Sequence, residues 1–232
     1  MPSFDKVFGN KPVLLAVIHV VNKTQALHNT NIARDEGANG VFLISHGRLR
    51  YHELNDVFDT IRLVCRDYWI GINYLELVNQ EALRNAPLDA NGLWVDNAEI
   101  FPKDSDPTSR ARLNDTTRKS VPFSGLYFGG VAFKYQQRVD DPGEAARIAK
   151  PFVDVITTSG DRTGSPPSIG KIKLIREAIG NHPLAIASGI TQENVSEYIP
   201  YTNCFLVATG ISKTFTELDP ARVKELVHKL SG

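Results

Sequence analysis

Four polar side chains, those of His19, His46, Asn73 and Asp96, stand at or just after the ends of short apolar segments. A carboxylate and an imidazole can exchange protons with a substrate near neutral pH, with Asp96 taking a proton and a histidine returning it. We therefore predict that these four residues form a catalytic group suited to an isomerase or a lyase. The alternative is structural, because strand-end polar groups also satisfy loop backbone and Asp96 can cap the next turn.

Two similar segments in the last quarter of the chain, 183–190 and 205–212, each run from apolar residues into a hydroxyl residue and a glycine. Glycine permits turns that a Cβ would block, and backbone N–H groups at a helix start bind anions. The predicted phosphate-binding residues are Ser188, Gly189, Ile190, Thr209, Gly210, Ile211 and Ser212. Lys213 can add positive charge to this site. Plain turns before helices are the alternative.

A loop rich in Gly, Pro, Ser and Thr separates these segments from the rest of the chain. Its predicted substrate-contacting residues are Thr157, Ser159, Asp161 and Thr163. The loop can act as a lid, or as a rigid connector stiffened by Pro166 and Pro167, and the sequence leaves both open. Lys134 also lies near a predicted strand end. A Schiff base there requires a desolvated amine, and the sequence favours a solvated lysine or one that contacts phosphate.

Strands and helices that would position these residues alternate eight times along the chain. The predicted strands are 13–18, 40–44, 69–72, 92–95, 123–133, 152–156, the apolar part of 183–190, and 204–208. Helices follow them at about 24–36, 51–66, 75–84, 108–119 and 142–150, then after caps at Ser168, Thr191 and Asp219. Such alternation predicts an α/β fold with a parallel eight-stranded core closed into a (β/α)8 TIM barrel. An open doubly wound sheet is the alternative, but no G-x-G-x-x-G motif follows the first strand.

Composition limits the classes of partner and the organisation of the chain. The 232 residues predict a single barrel domain, 1–232, with a polar excursion at 101–121 between strands four and five. Lys plus Arg and Asp plus Glu both number 26, so no basic field favours nucleic acid. The apolar run at 12–21 is too short for a membrane span. Cys65 and Cys204 lie in apolar patterns without metal spacing, as expected for free thiols in a reducing cytoplasm.

Four motifs in the chain resemble the BtpA/SgcQ family. They are Lys11-Pro12-Val13 running to Ile18-His19, Gly71-Ile72-Asn73, Thr158-Ser-Gly-Asp-Arg-Thr-Gly164 and Ser188-Gly-Ile-Thr-Gln-Glu-Asn194. The resemblance spans most of the chain and is firmest after residue 150. It implies a ribulose-phosphate-binding type of barrel, and one role named for the family is photosystem I biogenesis. Family members usually have a proline-rich loop after the first-strand histidine, whereas residues 20–24 contain no proline.

Two functional hypotheses follow from the sequence. The first is an enzyme of the isomerase or lyase type that acts by acid-base chemistry on a sugar phosphate or a nucleotide. The second is a non-catalytic assembly, biogenesis or regulatory factor that keeps the barrel for binding. For either we expect a cytoplasmic protein with a phosphorylated small molecule as its partner, no cofactor, no metal, and the possibility of a homo-oligomer.

Overall fold

Eight parallel strands close a barrel in the computed structural model, which describes residues 3–47 and 49–232. The strands are β1 (Val13–His19), β2 (Gly40–Ile44), β3 (Trp69–Asn73), β4 (Gly92–Val95), β5 (Leu126–Gly130), β6 (Val155–Thr158), β7 (Leu184–Ile186) and β8 (Cys204–Val207). Each strand pairs with the next, and β8 pairs with β1 to close the ring. The predicted fold class, an α/β barrel of the (β/α)8 TIM type, is confirmed.

Helices cover the outside of the barrel. They are α1 (Phe4–Phe8), α2 (Lys23–Asp35), α3 (Tyr51–Val64), α4 (Asn79–Asn85), α5 (Ser109–Ser120), α6 (Pro142–Ala149), α7 (Ile169–Ile179), α8 (Val195–Tyr198) and α9 (Pro220–Ser231). The predicted caps Asp141, Ser168 and Asp219 each accept hydrogen bonds from first-turn N–H groups. The predicted cap Thr191 is wrong, because its own N–H donates to Asn194 Oδ1 and α8 begins only at Val195.

Large aromatic side chains fill the interior of the barrel below its carboxyl end. Phe42 packs edge-on against Trp69, Trp94 and Phe128, with ring centroids 5.1 to 5.6 Å apart. Gly92 makes room for this cluster, since a Cβ there would lie 2.7 Å from the Trp69 ring. The lower barrel is therefore a packed core, as in other barrels of this class, and the carboxyl end is left for function.

Two predicted strand boundaries are wrong. The fifth strand was expected at 123–133 but ends at Gly130, because Ala132 adopts a left-handed φ of 47° that ends regular pairing. The sixth was expected at 152–156 but is β6 (Val155–Thr158). Thr157 therefore belongs to a strand and not to the loop, which agrees with the preference of β-branched residues for strands.

Between β8 and α9 the chain forms a 3-10 turn (Thr209–Ile211) and a small hairpin of β9 (Ser212–Thr214) and β10 (Glu217–Leu218). The sequence did not predict this hairpin. Gln25 Nε2 and Asn29 Nδ2 both donate to Thr216 O, at 2.6 and 2.8 Å, and so fasten the hairpin to α2. These partners lie almost the whole chain apart, so no local pattern reveals them.

The two cysteines are buried and free, as predicted. In the predicted polar excursion, α5 contributes one buried charged side chain, that of Arg118, which forms an ion pair with Asp154. The Asp154 carboxylate also accepts the Tyr127 N–H at 2.7 Å, so this pair ties α5 to β5. The description of 101–121 as an excursion from a single domain stays a prediction.

Candidate active site at the barrel mouth

A cavity opens at the carboxyl ends of the strands. Its lining includes the polar side chains of His19, His46, Asp96, Lys134, Tyr135, Thr163, Ser188 and Thr209, the glycines Gly164, Gly189 and Gly210, and the largely apolar side chains of Val17, Ile44, Trp94, Ala187, Ile190 and Leu206. Three of the four predicted catalytic residues thus face one cavity. The fourth, Asn73, is buried behind Asp96.

Asp96 follows β4 and is held by the adjacent strand. Asn73 Nδ2 donates to Asp96 Oδ1 at 3.1 Å. Burial raises the pKa of Asp96, while the Asn73 hydrogen bond and the charge of Lys134 act in the opposite direction. A carboxyl group with a raised pKa can hold a proton closer to neutral pH, which is the property a general acid needs.

His19, the last residue of β1, has one ring nitrogen fixed by the hairpin. His19 Nδ1 lies 3.1 Å from Phe215 O, and because a carbonyl only accepts, Nδ1 carries the proton. The Phe215 ring stacks on the His19 imidazole with ring centroids 4.1 Å apart, and the centroid of the His46 ring lies 4.8 Å from that of His19. Burial lowers the pKa of His19, which favours the neutral ring. Among the described residues no group hydrogen-bonds to Nε2, so the neutral ring keeps a basic nitrogen there.

Lys134 is half-buried and so is not the fully solvated lysine that the sequence allowed, while the other expectation, a contact with phosphate, stays a prediction. Lys134 lies between Ala132 and Tyr135, whose φ values of 47° and 62° are left-handed and direct this segment over the mouth. Lys134 N donates to Ser159 Oγ at 2.8 Å, and Lys134 Nζ lies 5.1 Å from the centre of the Phe133 ring. Burial lowers the pKa of Lys134, and the charge of Asp96 partly offsets this.

The ends of β7 and β8 approach their neighbours too closely for any residue but glycine. A Cβ on Gly189, whose φ is 66°, would lie 2.1 Å from Pro166 N, and one on Gly210 would lie 2.0 Å from Ile190 O. Among the residues that the structure describes, the backbone N–H groups of Gly189, Ile190, Thr209 and Gly210 have no hydrogen-bond acceptor. We call these four N–H groups the anion cup.

The predicted helix starts at this site are wrong. Gly189 is followed by a turn and only later by the four-residue α8, and Gly210 lies in the 3-10 turn that leads into the hairpin. Any anion binding there therefore depends on loop and 3-10 N–H groups and not on the dipole of a long helix.

The remaining predicted phosphate-binding side chains are occupied elsewhere. Ser188 Oγ accepts from Gly160 N at 2.9 Å and donates to Ser165 O at 2.8 Å. Ile211 is buried in the core, and Ser212 Oγ donates to Ala208 O. Lys213 is exposed, and its Nζ lies 3.8 Å from Glu217 Oε1 on the hairpin. It does not line the mouth.

The loop after β6 is anchored at one end and exposed at its tip. Ser165 and Pro166 pack against Ser188 and Gly189, which is the behaviour of a rigid connector. Residues 161–164 are exposed, and the Thr163 hydroxyl lies 3.3 Å from Tyr135 Oη beside the cavity. Of the predicted loop residues, Thr163 alone lines the mouth among the described residues.

The other three predicted loop residues lie elsewhere. Thr157 is buried in β6, and its Oγ1 has no partner among the described residues. Ser159 Oγ donates to Gly160 O while it accepts the Lys134 N–H. Asp161 is exposed, and its negative charge acts on Lys171.

Residues that the sequence did not single out also shape the site. They are Trp94 in the cavity wall, Tyr135 at its rim, Phe215 on the hairpin, and Lys171 on α7. Lys171 Nζ donates to Ala132 O at 2.5 Å and to Ser159 O at 2.6 Å, and burial lowers its pKa to about 8. No local signal distinguishes these residues, because their roles come from contacts between separate strand-end loops.

Residues 3–47 and 49–232 contain no cluster of three or more His, Cys, Asp or Glu side chains arranged to hold a metal ion. Over the same residues, none of the helices has the length and apolar character needed to cross a bilayer.

A closed eight-stranded β/α barrel with a polar mouth defines the class of this protein. Solved structures share the fold at very low sequence identity. A phosphoribosyl anthranilate isomerase from Thermotoga maritima superposes with a TM-score of 0.67 at 15% identity, covering 95% of this chain and 99% of the other. The (S)-3-O-geranylgeranylglyceryl phosphate synthase from Thermoplasma acidophilum gives a TM-score of 0.69 at 9% identity, covering 99% of both chains.

The sequence model of the BtpA family matches residues 143–232, and the predicted resemblance to that family is confirmed. The photosystem I biogenesis protein BtpA of Synechocystis sp. is 30% identical over 87 residues, which are 36% of this chain and 30% of that protein. The matches to curated relatives span less than half of the length of those proteins.

Proposed function

We propose that this protein is an enzyme of the isomerase or lyase type that acts on a phosphorylated small molecule, a sugar phosphate or a nucleotide. The observation that carries the proposal is the arrangement of one cavity. The cavity is lined by the four residues of the anion cup, whose N–H groups are unpaired among the described residues, and also by Asp96 and His19. Phosphate oxygens are strong acceptors, and converging backbone N–H groups are a common way to hold them.

The names of structural neighbours support a phosphorylated substrate. One is an isomerase of a phosphoribosyl compound, and another was solved in complex with sn-glycerol 1-phosphate. Loops after strands seven and eight frequently hold phosphate in barrels of this class, and the anion cup lies there.

The two titratable groups divide the acid-base work in this proposal. Neutral His19, with Nε2 free, accepts a proton from the substrate, and protonated Asp96 donates one. This is the reverse of the order predicted from the sequence. The reason is that the Phe215 carbonyl fixes the proton on Nδ1 of His19, whereas burial favours the protonated form of Asp96.

A thermal-shift screen with ribose, ribulose and hexose phosphates tests the binding half of the proposal. Thr209 is exposed at the cup and its side chain makes no hydrogen bond within the described residues, so Thr209→Glu adds a negative charge at little structural cost. Thr209→Gln is the matched neutral control. We expect at least one compound to raise the melting temperature of the wild type and of Thr209→Gln, but not of Thr209→Glu. If no phosphorylated compound stabilises the wild type, the proposal fails.

A second function is favoured by one observation, the similarity of part of the chain to a photosystem I biogenesis protein. In this alternative the barrel is a non-catalytic assembly or regulatory factor. Asp96→Asn separates the two functions, because it removes the acid but keeps the shape of the site. If cells that carry Asp96→Asn keep the normal function of the protein, the result supports the assembly factor. If that function is lost while the variant stays folded, the result supports the enzyme.

A further inference from the structure

Lys134 lines the cavity, and its Nζ contacts the ring of Phe133, 5.1 Å from the ring centre. Its Nζ makes no ion pair and no hydrogen bond with any group in residues 3–47 and 49–232, although the residue is half-buried. The charge of Asp96 raises the pKa of Lys134, and the charge of Lys134 lowers the pKa of His19, so the three side chains lie near one another. Much of the nearby cavity wall is apolar, including Trp94, which does not compensate a charged ammonium.

Lys171 is the natural comparison, because it is also a half-buried lysine whose pKa burial lowers. Its Nζ is occupied by two carbonyl acceptors, Ala132 O and Ser159 O, and it does not line the mouth. Lys171 therefore has a structural role that accounts for its burial. The contact of Lys134 Nζ with the Phe133 ring supplies no hydrogen-bond acceptor, so among the described residues Lys134 lacks the pairing that accounts for the burial of Lys171.

We propose that Lys134 Nζ is a nucleophile that forms a Schiff base with the carbonyl carbon of a phosphorylated ketone or aldehyde whose phosphate occupies the anion cup. This inference rests on the proposed function and narrows it. The substrate class becomes a carbonyl-bearing phosphate ester, and the reaction becomes one in which a bond next to the carbonyl carbon is made or broken.

The step is balanced by groups already in the cavity. The neutral amine adds to the carbonyl carbon, the C=O π electrons move to oxygen, and a proton passes from nitrogen to that oxygen to give a carbinolamine. Protonated Asp96 then donates a proton to the departing hydroxyl, which leaves as water while the nitrogen lone pair forms the C=N bond. The cationic imine draws electrons from the adjacent C–H or C–C bond, and His19 Nε2 can accept the proton released there. Addition of water reverses the linkage.

Borohydride trapping tests this inference on the full chain. The protein is incubated with ribulose 5-phosphate or dihydroxyacetone phosphate, reduced with sodium borohydride, digested and mapped by tandem mass spectrometry. We expect an adduct on Lys134 at least tenfold more abundant than on Lys171 or on the exposed Lys224. Competing inorganic phosphate should reduce the Lys134 adduct, as should Thr209→Glu but not Thr209→Gln.

Lys134→Arg separates the chemistry from the binding. We expect it to abolish the adduct while it keeps the thermal shift with the same compound. The Schiff base is overturned if a compound stabilises the protein through the anion cup but gives no adduct, or labels Lys134 no more than Lys224. The proposed function stands in that case. Absence of any stabilisation by either compound, with no adduct on Lys134, overturns both.

Discussion

Burial of single side chains gives the mouth its chemical character. Asp96 and Lys134 line one partly apolar cavity. Burial raises the pKa of Asp96 and lowers the pKa of Lys134, so it favours the neutral form of each side chain. His19 is tuned by burial and by a specific contact, the Phe215 carbonyl. Burial of ionisable groups in their neutral forms reduces the stability of the fold, and such groups are suited to the proposed acid-base reaction.

Asp96→Asn should stabilise the protein at neutral pH. A raised folded-state pKa means that the contribution of Asp96 to stability is complete below its unfolded pKa, near 3.8, and is lost as pH rises through the folded pKa. Asparagine mimics the protonated acid, so we expect a melting temperature about 2–4 °C higher at pH 7, corresponding to about 1 kcal/mol. The gain should disappear below about pH 4. Equal stabilisation at both pH values, measured by calorimetry, would contradict this account.

His19, Asp96 and Lys134 could be identified as candidates from sequence because each follows an apolar run, and parallel strands bring such ends together. Their protonation states and their burial could not be predicted from the sequence. The proton position on His19 depends on Phe215, which lies 196 residues away, and the desolvation of Lys134 depends on the path of the backbone after β5. Side-chain chemistry at a strand end is set by which loop covers it.

Among the larger elements, close backbone contacts fix the loop after β6 against β7. Gly189 and Gly164 both have positive φ, at 66° and 79°, but they differ in their surroundings. The Cβ of an alanine at 189 would meet Pro166 N, whereas one at 164 would meet nothing within 4 Å. The two glycines form a matched pair that shares a left-handed φ and differs in whether a Cβ would collide with Ser165 and Pro166.

Gly189→Ala should destabilise the protein by about 1–3 kcal/mol more than Gly164→Ala. Both substitutions carry the cost of a left-handed alanine, about 1–2 kcal/mol, and only the first adds overpacking against Pro166. Urea denaturation measures the free energy of unfolding of both variants, provided that the dependence on urea concentration has the same slope as in the wild type. Equal losses would show that the loop is not packed against β7 as described.

The hairpin between β8 and α9 should depend on one side chain of α2. Asn29 is buried, donates to Thr216 O and accepts the Leu218 N–H at 3.0 Å. We expect Asn29→Ala to cost about 1–3 kcal/mol, because it leaves the buried Leu218 N–H without its acceptor, while Thr216 O keeps the hydrogen bond from Gln25. Amide exchange at 212–218 should accelerate, and the 15N shifts of the His19 ring should show a mixture of tautomers. His28→Ala, on the exposed side of α2, is the control, and the same exchange in both variants would refute the anchor.

At this scale the sequence predicts the core strands and most helix caps, because apolar runs and capping residues are local signals. It fails where tertiary contacts decide the structure. Thr157 joins β6 through pairing with β7, and the hairpin forms because Gln25 and Asn29 hold it. The hairpin is central to the proposed acid-base chemistry, since it brings Phe215 onto His19.

Over the whole molecule, the closed ring of strands should make unfolding cooperative. The two tryptophans, Trp69 and Trp94, lie inside the barrel, and Arg118 ties α5 to the strands through Asp154. We therefore predict that tryptophan fluorescence and far-ultraviolet circular dichroism report the same urea midpoint, as expected for the single domain proposed for 1–232. Separated transitions would show that part of the chain folds on its own.

Binding of a phosphate ester across the barrel mouth is the central claim, and a crystal structure with ribulose 5-phosphate tests it most directly. We expect phosphate oxygens within hydrogen-bonding distance, about 2.7–3.2 Å, of the backbone nitrogens of Gly189, Ile190, Thr209 and Gly210. We also expect the carbonyl carbon of the ligand to lie beside Lys134 and Asp96. A ligand bound with its phosphate away from the anion cup, or a mouth that stays unbound at saturating ligand, would contradict the claim.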